Sequence, residues 1–124
     1  MAKKKSKKKV AEIDPAVRKE WLSNVAVWGG YLKDAPEEIK SEREIVLAAV
    51  KQDGMALRHA SENLKSDPEI VLAAVNREGS AIRYASKSMK SDSKIVLAAV
   101  MYDQTLLRYA SKSMKSDPEI VLAA

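Results

Sequence analysis

An arginine recurs at one place in three successive blocks of the chain, as Arg58, Arg83 and Arg108, with Lys33 at the equivalent place of an earlier block. Each guanidinium is a planar fork of N–H donors that matches carboxylate or phosphate oxygens. One such group per block makes a row along which a polyanion can lie. Lys40, Lys65, Lys90 and Lys115 form a second row with the same spacing. A ring follows each arginine, as His59, Tyr84 and Tyr109, with Asp34 in the first block. Tyrosine beside arginine is an interface composition, and in a single-strand binder it is a base-stacking platform. Two structural expectations compete with these readings. Each arginine can reach a carboxylate such as Asp67, Glu69, Asp92 or Glu119, and each tyrosine can pack half-buried on the next block. His59 is expected to pack in the same way, as neither base nor ligand.

Two further features stand outside this pattern. Lys3, Lys4, Lys5, Lys7, Lys8 and Lys9 supply six positive charges with no acid among residues 1–10. Removing them turns a net charge of +5 into 16 basic against 17 acidic residues, so the basic character belongs to that segment. It is expected to be a disordered arm, either solubilising or binding nucleic-acid phosphate by counterion release. Trp28 stands where the later blocks have Asp53, Glu78 and Asp103, and it is followed by Gly29, Gly30 and Tyr31. A tryptophan in place of a surface acid is a candidate partner contact. The alternative is that it folds back over the terminal repeat, against Trp21.

No catalytic pattern accompanies these residues. Gly29-Gly30 lacks the lysine and serine of a phosphate-binding loop. Glu37 and Glu38 are neighbours in sequence and do not face one another across a cleft. Ser61, Ser86 and Ser111 recur, but the later blocks contain no histidine to activate them. With no cysteine and a single histidine, the chain has no thiolate chemistry and no multi-histidine zinc site. The expectation is a non-enzyme without cofactor or metal. No apolar run approaches the ~20 residues of a membrane span, and the N-terminus lacks the apolar stretch of a signal peptide. A cytoplasmic protein is expected, or a nuclear one in a eukaryote given the lysine cluster.

The elements that hold these residues follow from a repeat of 25 residues. Ile45-Val46-Leu47-Ala48-Ala49-Val50 returns as Ile70 to Val75 and Ile95 to Val100, and begins again at Ile120. A period of this size marks a stacked repeat architecture. Asp67, Pro68 and Glu69 read as helix cap, first helical residue and first-turn acid. The apolar run that follows is expected to be a helix covered on several sides, with Ile70, Val71, Leu72 and Val75 at the centre. Gly79 reads as a C-cap or turn. Ile82, Ala85 and Met89 give the stripe of a second helix, about 10 residues long. The predicted fold is all-α, a superhelical α-solenoid of short helical hairpins. Its organisation is a tail over residues 1–12 and a repeat domain over 13–124. The units run 14–42, 43–67, 68–92, 93–117 and a partial 118–124. Val17 and Trp21 give the first helix an apolar stripe, with Arg18, Lys19 and Glu20 on its wet side.

The blocks Glu44 to Val50, Asp53-Gly54 and Leu57 to Asp67, with their copies, resemble the DUF4116 family, a domain of unknown function. The resemblance covers roughly residues 20–124 and implies tandem repeat modules of the kind found in larger proteins. It carries no activity, ligand or catalytic residue. Gln104 replaces the turn glycine in the last full unit, and Gly30-Tyr31 replaces Met55-Ala56 in the first.

The function expected from these residues is a non-catalytic binding or scaffolding module for an unknown protein partner. The contacts would be Trp28, Tyr31, Arg58, Arg83 and Arg108. The alternative is a nucleic-acid-associated protein held by residues 3–9. Residues 11–50 carry 5 basic and 8 acidic groups, and residues 76–100 carry 5 and 2. That asymmetry suits head-to-tail contact. The helix beginning at Asp117-Pro118 leaves Ile120, Val121 and Leu122 without a following element, so homo-oligomerisation through that face is expected as well.

Overall fold

The computed structural model describes residues 13–124. The segment with Lys3 to Lys9, and the arm expected there, lie outside the described residues. Seven α-helices occur among the described residues: α1 (Pro15–Val27), α2 (Glu37–Lys40), α3 (Arg43–Gln52), α4 (Pro68–Arg77), α5 (Ser93–Tyr102), α6 (Lys112–Lys115) and α7 (Pro118–Ala123). Short 3-10 segments join them, the longer ones being Gly29–Asp34, Gly54–His59, Gly79–Tyr84 and Gln104–Tyr109.

The helices begin where the cap chemistry places them. The Asp67 carboxylate accepts from the amides of Glu69 and Ile70, at 3.0 and 3.3 Å. Asp92 and Asp117 do the same for their helices, and Asp14 accepts from Ala16. These bonds satisfy amides that a helix start otherwise leaves unpaired. Proline follows the cap at residues 15, 68 and 118, where its missing N–H has no cost.

The expected second helix is not continuous. In the third unit a 3-10 turn over Gly79–Tyr84 ends at Ala85, which is extended (φ −75°, ψ 158°), and a separate 3-10 turn follows at Met89–Ser91. Ala60 and Ala110 interrupt their units in the same way. The reason lies between units. The break turns the Ser86 amide outward to donate to the Lys65 carbonyl of the preceding unit at 3.0 Å. Ser61 donates likewise to Lys40, and Ser111 to Lys90. A continuous helix would consume those amides internally, so the inter-unit bond competes with it. The stripe itself survives, since Ile82, Ala85 and Met89 are all buried.

Of the two readings for Gly79, C-cap or turn, the structure shows the turn: it opens the 3-10 segment after α4, as Gly54 does after α3. No described residue has a positive φ, so Gly54 and Gly79 are not left-handed caps. They are places of close approach. A Cβ on Gly54 would fall under 3 Å from the Ala74 carbonyl oxygen of the next unit, and one on Gly79 would lie 2.6 Å from the Tyr102 Cβ.

The core runs along the stack. Ile70, Val71, Ala74 and Val75 are fully buried, as are Ile45, Val46, Ala49 and Val50. Leu72, expected at the centre, is only half-buried. Positions 70, 71, 74 and 75 form one helical stripe, and a residue two places along from Ile70 points ~200° away from it. Ala74 takes the central place, and its small side chain lets neighbouring units close up. In α1, Val25 is fully buried and Trp21 and Leu22 are partly buried, whereas Val17 is exposed. Helix packs on helix in the same order throughout: α1 on α3, α3 on α4, α4 on α5 and α5 on α7. Val121 and Leu122 on α7 remain exposed.

Candidate interaction surface

The 3-10 segments stack on one another just as the helices do. Gly54–His59, Gly79–Tyr84 and Gln104–Tyr109 end in Arg-His or Arg-Tyr, between a buried or partly buried aliphatic residue and a buried alanine. Leu57 and Ala60 point inward around Arg58 and His59, and Ile82 and Ala85 around Arg83 and Tyr84. The tight turn between these anchors throws every arginine to the outside, and Arg58, Arg83 and Arg108 are all exposed.

There the arginines and tyrosines interleave. The guanidinium carbon of Arg58 lies 5.4 Å from the ring centroid of Tyr84, in the following unit. Arg83 lies 5.3 Å from the same ring and 5.9 Å from that of Tyr109. Arg108 lies 5.0 Å from Tyr109. The sequence Arg58, Tyr84, Arg83, Tyr109, Arg108 thus forms one cation–π column along the stack. Arg108 Nη2 also donates to the Tyr109 hydroxyl at 3.1 Å, and this pulls the hydroxyl below its ordinary pKa.

Of the carboxylates expected to neutralise these arginines, Asp67 and Glu69 pair with Arg43 and Asp92 caps its own helix. Arg43, at the start of α3, donates to Asp67 at 2.7 Å and pairs with Glu69 at the start of α4. That pairing raises the Arg43 pKa and holds Asp67 below the usual carboxylate range. Arg18 does the same one unit earlier, with Glu42 at 3.2 Å and with Glu44. Neither arginine stood out in the sequence. The available signal was that both share the register position that later units fill with Pro68, Ser93 and Pro118. Among the described residues no carboxylate lies within ion-pair distance of Arg58, Arg83 or Arg108, and the same holds for Lys40 and Lys90. Lys33 pairs with Asp34 at 3.7 Å and Lys65 with Glu62 at 3.4 Å, both at the surface.

The resulting field acts on His59. Its pKa is lowered first by burial, then by the charges of Arg58, Lys40, Lys33 and Lys65. Tyr109 feels Arg108, Arg83 and Lys90 in the same way. The arginine and lysine rows therefore act together as one positive face.

Trp28 does not fold onto Trp21. Its ring meets Tyr31 edge-on, with centroids 5.0 Å apart and planes at 76°. The indole lies against Gly30, where any Cβ would collide with it. Both aromatics are 44% exposed, so they remain open to a partner. An open hollow of about 170 Å³ is lined by Trp28, Lys33, Asp53, Arg58 and His59. It joins Trp28 to Arg58, the first arginine of the column. Tyr31 touches Trp28 but faces a separate hollow lined by Trp21, Asn24, Val27 and Asp34, and Lys3 to Lys9 lie outside the described residues.

The repeated serines differ in their surroundings: the Ser61 hydroxyl is buried without a hydrogen-bond partner among the described residues. Ser86 and Ser111 place their hydroxyls 3.0 and 3.1 Å from Ser88 and Ser113 at the following turn. Among the described residues no group of three or more histidines, cysteines or acids is placed to hold a metal ion, and no helix is long and apolar enough to cross a membrane.

These features define an all-α helical-repeat protein with an arginine–tyrosine surface. The chain belongs to the DUF4116 family, a domain of unknown function, whose profile matches residues 24–65, 43–90, 67–112 and 92–124. No curated protein and no solved structure matched the chain.

Proposed function

We propose that the chain is a non-catalytic binding module, an α-solenoid that engages a protein partner through the surface from Trp28 to Arg108. The observation that supports this most directly is the column itself. Three exposed guanidinium groups are held in line by tyrosine rings and lack a carboxylate partner within the described residues. Desolvating cations in a preset geometry suits recognition of an acidic surface. Trp28 and Tyr31, at one end of the surface, supply the aromatic anchors that carry most energy in such contacts.

The test is affinity capture with the full chain, compared with Trp28→Ala and Arg83→Ala chains whose helicity is unchanged by circular dichroism. A partner recovered by the parent and depleted with both variants is expected. Partners recovered equally with all three chains would remove the reading.

The same positive face also supports a nucleic-acid-associated role with Lys3 to Lys9 as anchor. That reading requires RNA or DNA affinity that falls steeply with salt, and salt-independent or absent binding removes it. Self-association through the face bearing Val121 and Leu122 is a further part of the proposal. A light-scattering mass that stays at the 13.7 kDa of one chain at high concentration counts against it.

A further inference from the structure

The spacing within the arginine–tyrosine column specifies its occupant more narrowly. Arg58 and Arg83 lie 5.4 and 5.3 Å from the centroid of Tyr84, so their guanidinium carbons are at most about 11 Å apart. Arg83 and Arg108 lie 5.9 and 5.0 Å from that of Tyr109, which sets the same limit. Neighbouring packed helices stand ~8–10 Å apart. A similar spacing of the stacked 3-10 segments, within the ~11 Å limit, places each ring between its two arginines rather than to one side of both.

This arrangement has two chemical consequences. Each guanidinium lies over a ring, which leaves the N–H groups directed away from the rings as free donors, apart from the Arg108 Nη2 that donates to the Tyr109 hydroxyl. Those groups form the fork that pairs with a carboxylate through two parallel hydrogen bonds. Stacking also fixes the plane of each fork in advance, so little freedom is lost on pairing. The tyrosine faces are occupied in turn, so they offer no platform on which nucleic-acid bases can stack. Duplex DNA carries a charge every ~1.7 Å of axis, against one arginine per about 10 Å here, so the column matches a much sparser polyanion.

We infer that this column binds an acidic peptide in the polyproline II conformation, with a carboxylate at every third residue. This rests on the binding-module reading and names its partner. A polyproline II chain has three residues per turn and rises ~3.1 Å per residue. Every third side chain therefore points the same way, at intervals of ~9 Å. A β-strand repeats its faces every ~6.6 Å and falls out of step. An α-helix returns after seven residues, but drifts ~20° each time and loses the third arginine. The backbone of a polyproline II chain also carries no internal hydrogen bonds, so it lies on a polar surface without unwinding.

The experiment uses the full chain at about 0.1 M salt and three fluorescein-labelled probes. The first is four Glu-Pro-Pro triplets. The second has the same composition with its glutamates contiguous, and the third is a twelve-nucleotide oligouridine. Fluorescence anisotropy is expected to show the spaced peptide binding about tenfold tighter than its isomer, from pairs that each contribute a few-fold. Charge attraction from residues 3–9 favours the contiguous isomer, whose charge density is higher, so it works against the expected preference rather than producing it. Arg83→Gln and Arg83→Lys are both expected to weaken the spaced peptide about threefold or more, because a point charge does not replace the fork. Arg83 is exposed, so neither change threatens the fold, and circular dichroism checks this.

Equal affinity for the two peptide isomers overturns the inference, as does an Arg83→Lys chain that binds as the parent does. Oligouridine that binds more tightly than the spaced peptide and is lost in Arg83→Gln overturns it in favour of nucleic acid. If all probes fail while partner capture still depends on Trp28 and Arg83, this inference falls and the binding-module reading stands.

Discussion

Replacing Gly54 with alanine puts a methyl carbon under 3 Å from the Ala74 carbonyl oxygen and 3.0 Å from the Glu78 Cβ. Carbon atoms prefer ~3.5–4.0 Å, so the gap between two units must widen by several tenths of an ångström. Neither contact is the loose end of a side chain. The Ala74 oxygen also accepts the Glu78 amide at 2.8 Å, the bond that closes α4. Overpacking of this kind costs ~1–3 kcal/mol, while alanine's stiffer unfolded chain offsets only ~0.4–1 kcal/mol. The expected net loss is ~1–2 kcal/mol, a fall of roughly 4–8 °C in melting temperature at about 4 °C per kcal/mol for a domain of this size. Thermal denaturation followed by far-ultraviolet circular dichroism reads it directly. Gly54→Asn separates crowding from backbone conformation. At a left-handed glycine, asparagine is milder than alanine, whereas here it brings the same Cβ and more bulk. A Gly54→Ala chain that melts at or above the parent, or an asparagine variant milder than alanine, refutes the argument. Gly30→Ala provides the contrast, because its Cβ meets only the half-exposed indole of Trp28, which can swing aside. Its melting point is expected to hold while the tryptophan fluorescence shifts.

Other consequences can be measured alongside. His59 is held below its ordinary value of 6.5, so the folded state resists its protonation. Stability is therefore full above about pH 6.5 and falls on acidification toward the folded pKa. A proton NMR titration midpoint at or above 6.5 would contradict this, and His59→Tyr is expected to abolish the dependence. Asp67 is depressed below 3.8 by Arg43, and its contribution is present above that value and lost as pH falls through the folded pKa. The melting difference between the parent and Arg43→Gln is expected to be small, as for any exposed pair, and to shrink as the pH falls below 3.8 through the folded pKa. A difference that persists there points to packing by the arginine stem instead. Ile70→Ala is expected to cost ~2–5 kcal/mol through a core cavity, and Leu72→Ala, half-buried, less than half of that by urea denaturation. Equal losses would contradict the stripe of burial assigned to α4.

The helix starts were legible because they are local. Asp67, Pro68 and Glu69 make their cap within three residues, and no distant partner alters that bond. The second half of each unit was not legible. Whether Ala85 stays helical or turns extended is decided by the Lys65 carbonyl, 20 residues back, which takes the Ser86 amide. Local periodicity marked Ile82, Ala85 and Met89 as buried, but it could not register that competition. The phase of the apolar run was hidden too. Ile70 to Val75 is hydrophobic at every position, so the half-buried place of Leu72 depends on where the neighbouring helices lie. For the surface, the recurrence of Arg58, Arg83 and Arg108 was visible in the sequence, and so was their register with the tyrosines. The pairing was not visible. Arg58 lies over the tyrosine of the following unit, and Arg43 takes Asp67 and Glu69, two of the acids expected to pair with the row.

The bonds from Ser61 to Lys40, Ser86 to Lys65 and Ser111 to Lys90 each join a unit only to the one before it. No bond of this set reaches two units back. Folding can therefore proceed as a zipper. Once any adjacent pair has closed, each further unit adds without a long loop to close, and the rate depends weakly on how many units follow. Opening runs the other way. Among the described residues the first and last units have a neighbour on one side only, so within residues 13–124 they are the first to fray. Amide hydrogen exchange should then be slowest in α4, which is flanked on both sides, and should quicken toward α1 and α7.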